Sequence, residues 1–580
     1  MKKQKYESID VRIFVFLAIF AVLYTGLVVR LYDLQINKRY LSKLEKSRGR
    51  RGVRKDIIPQ RGMVSDCKGN ILAISRKVKS MYCVPSLVKD KEKTADILSN
   101  ITGVEHDFIL SRLEKKAHFA WLKRKLEDEE HAYIESMELP GIGFREEYHR
   151  FYPKGETFCH VLGFVNIDNQ GIDGLEWLME KELSGIKGTM ICELDAQGQE
   201  ICSYTVVEKS PRTGNNITLT LDEVIQEIVN EEIDKVMEKH DPLGAVAIVM
   251  ESQTGKILAM CSRPSFDPAN PGRYEAEERR NRCITDMYEP GSVFKIITTS
   301  AAVNEGIVNM GDVFFCENGA YRVARHTLHD SHPYGDLTVK QIISKSSNIG
   351  ASKIAELVED EVFYNYIRNF GFGSPTGIKL PGEAGGFVRE PNLWSRLSKP
   401  SLAMGHEILV TPLQLIAAVN VIASGGYFIE PAVIEKIESP EGEVLYQLEK
   451  SHFRQVLSRE TVLMMKEALT EVVSGQGTAR RASLEKYTVA GKTGTAQKLN
   501  ENGRYSHSKF IGSFAGFIPA EDPLITILVM VDEPRRNGYY GGTVAAPAFA
   551  GIADKVLKYL NVFERKNGLF VTAQTPGKRG

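Results

Sequence analysis

One apolar segment constrains this chain more than any other feature. The residues "IFVFLAIFAVLYTGLVV", 13 to 29, carry no charge and lie between Arg12 and Arg30. As a helix the segment would span roughly 25 Å, and snorkelling arginine stems can complete the ~30 Å hydrocarbon core of a bilayer. A buried core helix and a cleaved signal peptide are the alternatives, but "RLYDLQI" follows with no small-residue cleavage site. We therefore predict an uncleaved membrane-spanning helix.

The charges around this segment do not fix its orientation. More basic residues follow the segment than precede it, so the positive-inside rule alone would keep the rest of the chain in the cytoplasm. Long domains, however, translocate largely regardless of this bias. The remaining sequence contains no second apolar span, so we predict that it lies wholly on one side of the membrane.

Length and composition indicate several ordinary globular domains. The chain has 580 residues, and its 74 lysines and arginines balance its 74 aspartates and glutamates, so we expect no nucleic-acid partner. None of the eight cysteines is spaced as CxxC, which argues against a zinc knuckle. In "CELDAQGQEIC" two short strands would bring Cys192 and Cys202 opposite each other, as a disulfide or as two free thiols.

A domain boundary is predicted at the polar break "EKSPRTGNN". Beyond it, "GAVAIVMESQTGKILAMCS" predicts two strands joined at Gly255, and "YTVAGKTGTAQK", "KFIGSFAGFIPA" and "LITILVMVDEP" predict three more. A mainly helical insert separates the two groups of strands. We predict an α/β (α+β) fold with a five-stranded antiparallel sheet covered by helices. The expected segments are a tail at 1–12, the membrane helix at 13–29, a mixed domain at 30–212, the sheet domain at 213–562 and a second tail at 563–580.

The stretch "MYEPGSVFKII" places a candidate nucleophile at the start of a helix. Ser292 and Lys295 are three residues apart, so they share one helical face. A neutral lysine amine could take the proton of the serine hydroxyl. Because a free lysine titrates near ~10.4, burial or a neighbouring cation must first lower its pKa by several units.

The pair alone is weak evidence, because a chain of this length contains SxxK matches by chance. Ser65 and Lys68 in "VSDCKGN" have the same spacing but lie in a polar turn with no apolar helix to bury the lysine. Downstream motifs favour Ser292. "KSSNIG" places Ser346 and Asn348 in a short loop between helices, and "GKTGT" places Lys492, Thr493, Gly494 and Thr495 on a strand. The order SxxK, SxN, KTG is the signature of penicillin-recognising serine acyltransferases.

With these three motifs, the sequence resembles the class B penicillin-binding proteins, and the resemblance covers nearly the whole chain. "RGMVSDCKGNILA", with Cys67 where arginine is usual, and "GIDGLEWLMEKELSGIKG" are similar to the pedestal, or dimerisation, domain of that family. "SKPSLAMGHEILVTPLQLIAAVNVIASGG" and "SFAGFIPAEDPLITILVMVDEPRRNGYYGGTVAAP" resemble the division-specific, FtsI-type branch. The resemblance implies a pedestal at 30–212 and a penicillin-binding transpeptidase domain at 213–562.

The resemblance also implies a role for each site residue. Ser292 would attack the carbonyl between the last two D-alanines of a peptidoglycan stem peptide, and Lys295 would accept its proton. Ser346 would pass a proton to the leaving amine, Asn348 would position peptide and lysine, and Lys492 would keep Lys295 neutral. The backbone N–H groups of Ser292 and Thr495 would form the oxyanion hole, and the substrate carboxylate would bind Thr493 and Thr495, beside Gly494.

The implied partners are stem peptides ending in D-Ala-D-Ala, β-lactams as covalent inhibitors, and an FtsW-type glycan polymerase with other membrane proteins of cell division. No cofactor or metal is expected. The implied location is the cytoplasmic (inner) membrane, with the catalytic domain on the extracytoplasmic, periplasmic side. An elongation-specific transpeptidase, a membrane-anchored β-lactamase using Glu390, and a non-enzymatic β-lactam sensor remain alternatives.

Two further groups have open interpretations. His326, His329 and His332 with Asp330 could form a metal cluster or a solvated loop. Tyr540, Gly541 and Gly542 could line the cleft or form a plain turn.

Overall fold

The structure, a computed structural model, describes residues 3–35, 52–193, 206–449, 453–475, 477–500, 502–563 and 571–572. The first helix, α1, spans Lys3–Gln35. Within it, Ile13–Tyr32 is long and apolar enough to cross a membrane, and its side chains are not buried in the protein. The apolar helix predicted at 13–29 is therefore present.

Packing divides the chain into two compact units. Unit 1 comprises Met1–Gln60, Lys77–Glu147 and Gly185–Thr213, and unit 2 comprises Arg61–Arg76, Tyr148–Ser184 and Gly214–Gly580. Unit 1 contains an antiparallel sheet of the strands Gly52–Ile57, Gly188–Glu193 and Val206–Lys209. Its other elements are the strand Ala120–Lys123 and the helices Lys91–Thr102, His106–Leu113 and Asp128–Ser136. The strands Ile71–Cys83 and Ile142–Phe151 contain residues of both units.

Unit 2 is built on a five-stranded antiparallel sheet. Its strands are β1 (Gly244–Glu251), β2 (Ile257–Arg263), β3 (Ala490–Leu499), β4 (Tyr505–Ile518) and β5 (Ile525–Asp532), in the spatial order β2, β1, β5, β4, β3. The central strands β1 and β5 are buried along almost their whole length, as expected for strands covered on both faces. Gly255 has a φ of +75° in the turn between β1 and β2, which glycine adopts without a Cβ penalty.

Helices pack on this sheet or on one another. They are α2 (Glu223–His240), α3 (Lys295–Asn304), α4 (Val339–Lys345), α5 (Asn348–Leu357), α6 (Pro412–Ala423), α7 (Arg459–Val473) and α8 (Ala546–Tyr559). The helices α2 and α8 pack against each other and against the sheet, while α6 packs against the same central strands. Every residue of α6 is buried, and a capping box of Thr411 and Gln414 with Pro412 at the first position begins it.

The remaining elements of unit 2 are short except the ten-residue helix Asp360–Asn369. The helices are Cys159–Leu162, Gly174–Leu178, Glu180–Leu183, Ala276–Arg279, Arg282–Thr285, Asp360–Asn369, Ser398–Ala403 and Gly541–Val544. The strands include Val64–Ser65, Asn216–Leu219, Val313–Phe315, Ala320–Val323, His326–His329, Asp336–Thr338, Phe387–Val388, Ile408–Leu409, Tyr427–Ile429, Ile434–Glu438, Val444–Gln447 and Phe453–Gln455.

The predicted fold class is confirmed. Two strands of the sheet come from residues 244–263 and three from 490–532, with the helical insert between them. The alternatives for Cys192 and Cys202, a disulfide or two free thiols, stay predictions, because Cys202 lies outside the described residues. The domain limits at 30–212 and 213–562 stay predictions.

Candidate active site

The candidate nucleophile lies in a tight turn at the start of α3. Gly291–Phe294 form one turn of 3₁₀ helix that continues directly into α3, so Ser292 and Lys295 follow one helical path. Gly291 has a φ of +55°, and its N–H donates a hydrogen bond to the carbonyl of Gly405. A Cβ added at Gly405 would lie 2.2 Å from the Gly291 oxygen, so only glycine fits against this turn.

The amine of Lys295 is fully buried at the centre of the site. Its Nζ lies 3.1 Å from Ser292 Oγ, and it donates to the carbonyl of Ser346 at 2.6 Å and to Asn348 Oδ1 at 2.7 Å. A neutral amine has two N–H groups and one lone pair. The two short bonds use both N–H groups, which leaves the lone pair for the serine hydroxyl.

Burial also changes the acid–base chemistry of this amine. Removal from solvent lowers the pKa of Lys295 to about 7, against a smaller opposing effect of the Asp330 carboxylate. Burial, together with the charge of Lys295, holds the pKa of Lys492 well below its ordinary value. Because both amines are desolvated within one site, double protonation is unfavourable.

The SxN segment connects α4 to α5. Ser346 follows α4 in the left-handed conformation, with a φ of +61°, and this turns its carbonyl towards Lys295. Its Oγ accepts a hydrogen bond from Lys492 Nζ at 2.9 Å and lies 3.3 Å from Lys295 Nζ. Asn348 is the first residue of α5, so the prediction that it lies in the loop between helices is wrong. The reason is that Ser347 already provides the helix cap, by accepting from Gly350 N–H.

The GKTGT segment, residues 491–495, forms residues two to six of strand β3. Lys492 is fully buried and also donates to the Thr493 carbonyl at 3.2 Å. Gly494 lies against the nucleophile turn, since a Cβ there would approach the Pro290 carbonyl to 2.9 Å. Thr493 Oγ1 lies 3.1 Å from Thr478 Oγ1. Thr495 Oγ1 accepts from Gly541 N–H at 3.1 Å, which places the start of the helix Gly541–Val544 beside this strand.

The structure thus brings together Ser292, Lys295, Ser346, Asn348 and Lys492 through one chain of contacts. The competing SxxK pair is not part of it. Lys68 has a half-exposed side chain and forms an ion pair with Asp222 at 3.0 Å, and Ser65 contacts Thr218.

Several contacting residues were not predicted for this site. His329 ends a strand and Asp330 follows it, and both accept hydrogen bonds from the SxN segment. Among the described residues no group of three histidine, cysteine or acidic side chains is placed to hold a metal ion. His326–His329 forms the second strand of a hairpin with Ala320–Val323. Glu289 accepts hydrogen bonds from the Glu407 N–H and the Tyr505 hydroxyl, and it also contacts His406. These contacts hold in place the chain segment that leads into the nucleophile turn. No motif spacing signals these long-range contacts.

Comparison with known proteins identifies the family. Residues 245–554 match the family described as "Penicillin binding protein transpeptidase domain", and residues 56–219 match "Penicillin-binding Protein dimerisation domain". The chain belongs to the class B penicillin-binding proteins.

Relatives of this class B penicillin-binding protein cover almost all of it. The "Probable peptidoglycan D,D-transpeptidase PenA" of Neisseria meningitidis is 33% identical over 97% of this chain and 95% of its own length. The "Peptidoglycan D,D-transpeptidase FtsI" of Escherichia coli is 32% identical over 87% of this chain and 84% of its own length. The crystal structure of penicillin-binding protein 3 of Mycobacterium tuberculosis with aztreonam has a TM-score of 0.70 at 25% identity, over 87% of this chain and 97% of that chain. The class B protein described here is a peptidoglycan D,D-transpeptidase.

Proposed function

We propose that this enzyme cross-links stem peptides through an acyl-enzyme at Ser292. The main support for this proposal is that Lys295 Nζ lies 3.1 Å from Ser292 Oγ. Both N–H groups of the neutral amine donate to other acceptors, the Ser346 carbonyl and Asn348 Oδ1. This arrangement supports proton transfer from the hydroxyl to the amine as Oγ attacks the penultimate D-alanine carbonyl.

The proposed reaction has two halves. In the first, the new ester bond to Ser292 forms, the bond to the terminal D-alanine breaks, and the leaving amine takes a proton through Ser346. In the second, the amine of a neighbouring stem peptide attacks the ester and gives up a proton, so that the serine hydroxyl is restored. The backbone N–H groups of Ser292 and Thr495 would hold the oxyanion in both halves. Thr493 and Thr495, beside Gly494, would bind the carboxylate of the substrate.

Incubation of the full-length protein with uncross-linked glycan strands tests this proposal. The expected products are free D-alanine and stem-peptide dimers in equal amounts, with neither from Ser292→Ala. D-alanine without dimers would indicate a hydrolytic carboxypeptidase instead. Rapid turnover of a chromogenic β-lactam would favour the β-lactamase alternative, whereas a long-lived adduct supports the transpeptidase.

We also infer a role in septal wall synthesis. The near full-length similarity to an FtsI protein supports it, as do the segments that resemble the division-specific branch. The proposed location is the cytoplasmic membrane, with α1 as a single anchor and the catalytic unit on the extracytoplasmic side. Partners would include an FtsW-type polymerase and other division proteins. Depletion in the native host is expected to give filaments, whereas round cells would indicate an elongation role.

A further inference from the structure

We propose that Asp330 is a positioning residue for the transpeptidase reaction, which holds Asn348 and, through it, Lys295 in their reactive arrangement. The inference rests on the proposed function of Ser292 and Lys295, and assigns a role to a side chain outside the three motifs.

The Asp330 carboxylate accepts three hydrogen bonds from residues 347–349. Oδ1 accepts from the backbone N–H of Asn348 at 2.5 Å and of Ile349 at 3.1 Å, while Oδ2 accepts from Ser347 Oγ at 2.6 Å. The first N–H groups of a helix have no partner within the helix, and a carboxylate there also interacts favourably with the helix dipole. Asp330 therefore fixes the start of α5, where Asn348 is the first residue.

Two hydrogen bonds fix the orientation of the Asn348 side-chain amide. Its Nδ2 donates to the carbonyl of His329 at 2.8 Å, and its Oδ1 accepts from Lys295 Nζ at 2.7 Å. His329 and Asp330 thus hold Asn348 by its side chain and its backbone at once. With the amide in this orientation its oxygen faces Lys295, so one N–H of the amine is engaged and the lone pair is kept for Ser292.

Asp330 directly follows a hairpin that packs against α5. Its strands, Ala320–Val323 and His326–His329, pair antiparallel, and the strand His326–His329 contacts α5. Asp330 N–H bonds to the Gly319 carbonyl, so the carboxylate is presented by an ordered strand end. The hairpin therefore acts as a support for the SxN segment.

The charge of Asp330 gives this role a measurable signature. Asp330 favours the protonated form of Lys295, which burial opposes, and Lys492 lies in the same site with its Nζ bonded to Ser346 Oγ. Asp330 also raises the pKa of the Cys316 thiol and of the Tyr334 phenol, in both cases as a contribution secondary to burial. His329 and His332 flank it in the sequence.

Two substitutions separate position from charge. Asp330→Ala removes all three hydrogen bonds that the carboxylate accepts. Asp330→Asn keeps an oxygen for the two backbone N–H groups but loses the negative charge. Asp336→Asn is the matched control, because it removes an exposed carboxylate on the following strand.

The experiment measures the second-order rate constant for acylation of full-length protein by a fluorescent penicillin from about pH 6 to 9, with melting temperatures of all variants. We expect Asp330→Ala to be at least about tenfold slower at every pH. Asp330→Asn should approach the wild-type rate at alkaline pH, with its rate–pH midpoint shifted to lower pH because a charge that favours protonated Lys295 is gone. Asp336→Asn should match the wild type in rate and midpoint.

A folded Asp330→Ala variant with the wild-type rate would overturn the proposal. If Asp330→Ala does not fold, the Asp330→Asn variant provides the test. An acylation rate constant and a rate–pH midpoint that both match the wild type would then overturn the proposal. These results are distinct from failure of the proposed function, which would appear as absent acylation of the wild-type protein.

Discussion

At the scale of single residues, the chemistry depends on burying a lysine amine without giving it a carboxylate partner. The two acceptors closest to Lys295 Nζ are a backbone carbonyl and an amide oxygen, and both are neutral. A carboxylate in either place would stabilise the ammonium and raise the pKa. Neutral acceptors allow burial to dominate, so the amine can serve as a base near neutral pH.

The first prediction is the pH dependence of acylation. The pKa of Lys295 is about 7 in the folded protein, so the amine is charged below this pH and neutral above it. The rate constant for acylation by a penicillin should therefore rise about tenfold per pH unit well below the midpoint and level off above about pH 8. Lys295→Arg is the control, because a guanidinium stays protonated and should leave the enzyme inactive at every pH. A rate that falls as the pH rises through 7 would contradict this account.

A second prediction separates strain from chemistry at Ser346. Its left-handed backbone costs a non-glycine residue about 1–2 kcal/mol, and glycine avoids this cost. The free energy of unfolding of Ser346→Gly should therefore exceed that of Ser346→Ala by about 1 kcal/mol. Its melting temperature should be correspondingly higher. Both variants lack the hydroxyl bonded to Lys492 and should acylate about 100-fold more slowly than the wild type. Equal stabilities of the two variants would show that the strain is absent.

Proximity of site residues within one motif could be predicted because each motif is local. Ser292 with Lys295, and Ser346 with Asn348, are each separated by a few residues, and helix geometry relates such residues directly. Asp330 and Glu289 were missed because their partners lie elsewhere in the chain. Glu289 contacts His406 and Tyr505, more than one hundred residues away, and only the folded sheet and loops bring them together.

At the scale of elements, the nucleophile turn depends on close contact between two glycine-containing backbones. Gly405 packs on Gly291, and Gly494 of β3 packs on Pro290. The turn is therefore held from two sides by backbone, which leaves no space for a Cβ. Sequence patterns predicted the helix that follows but not this contact, since a loop more than one hundred residues downstream provides it.

A third prediction compares two glycines with left-handed backbones. Gly405 has a φ of +81° and a Cβ there would meet Gly291, whereas Gly442 has a φ of +91° with open space around it. Gly442→Ala should lose about 1 kcal/mol of stability from backbone strain, and Gly405→Ala should lose more because its Cβ also meets the Gly291 backbone. Only Gly405→Ala should displace the turn and slow acylation at least about tenfold. Equal acylation rates in the two variants would contradict the proposed packing role of Gly405.

At the scale of the whole molecule, unit 2 draws residues 61–76, 148–184 and 214–580 into one compact body. A buried ion cluster joins the first two of these segments. Glu176 pairs with Arg61 and Arg150 at 2.6 Å each, and all three side chains are almost completely buried. By resemblance, residues 61–76 and 148–184 were expected in the pedestal, and no sequence pattern indicates that these three distant charges are buried together.

A fourth prediction follows for stability. Glu176→Gln keeps the shape of the side chain but leaves two buried guanidinium groups without their shared carboxylate. Breaking a buried pair costs about 3–5 kcal/mol, so the main melting transition should fall sharply. Asp554→Asn, which removes a solvent-exposed partner of Lys558, is the control and should cost less than about 1 kcal/mol. Similar melting temperatures for the two variants would indicate that the cluster is not essential to unit 2.

The central claim is that Ser292 is the residue acylated by the substrate and by penicillins. Its most direct test is mass spectrometric mapping of the full-length protein after reaction with a penicillin. One adduct on the peptide that contains Ser292 is the predicted result, and it should be absent from Ser292→Ala. An adduct on any other residue, or a wild-type protein that forms none, would contradict the account.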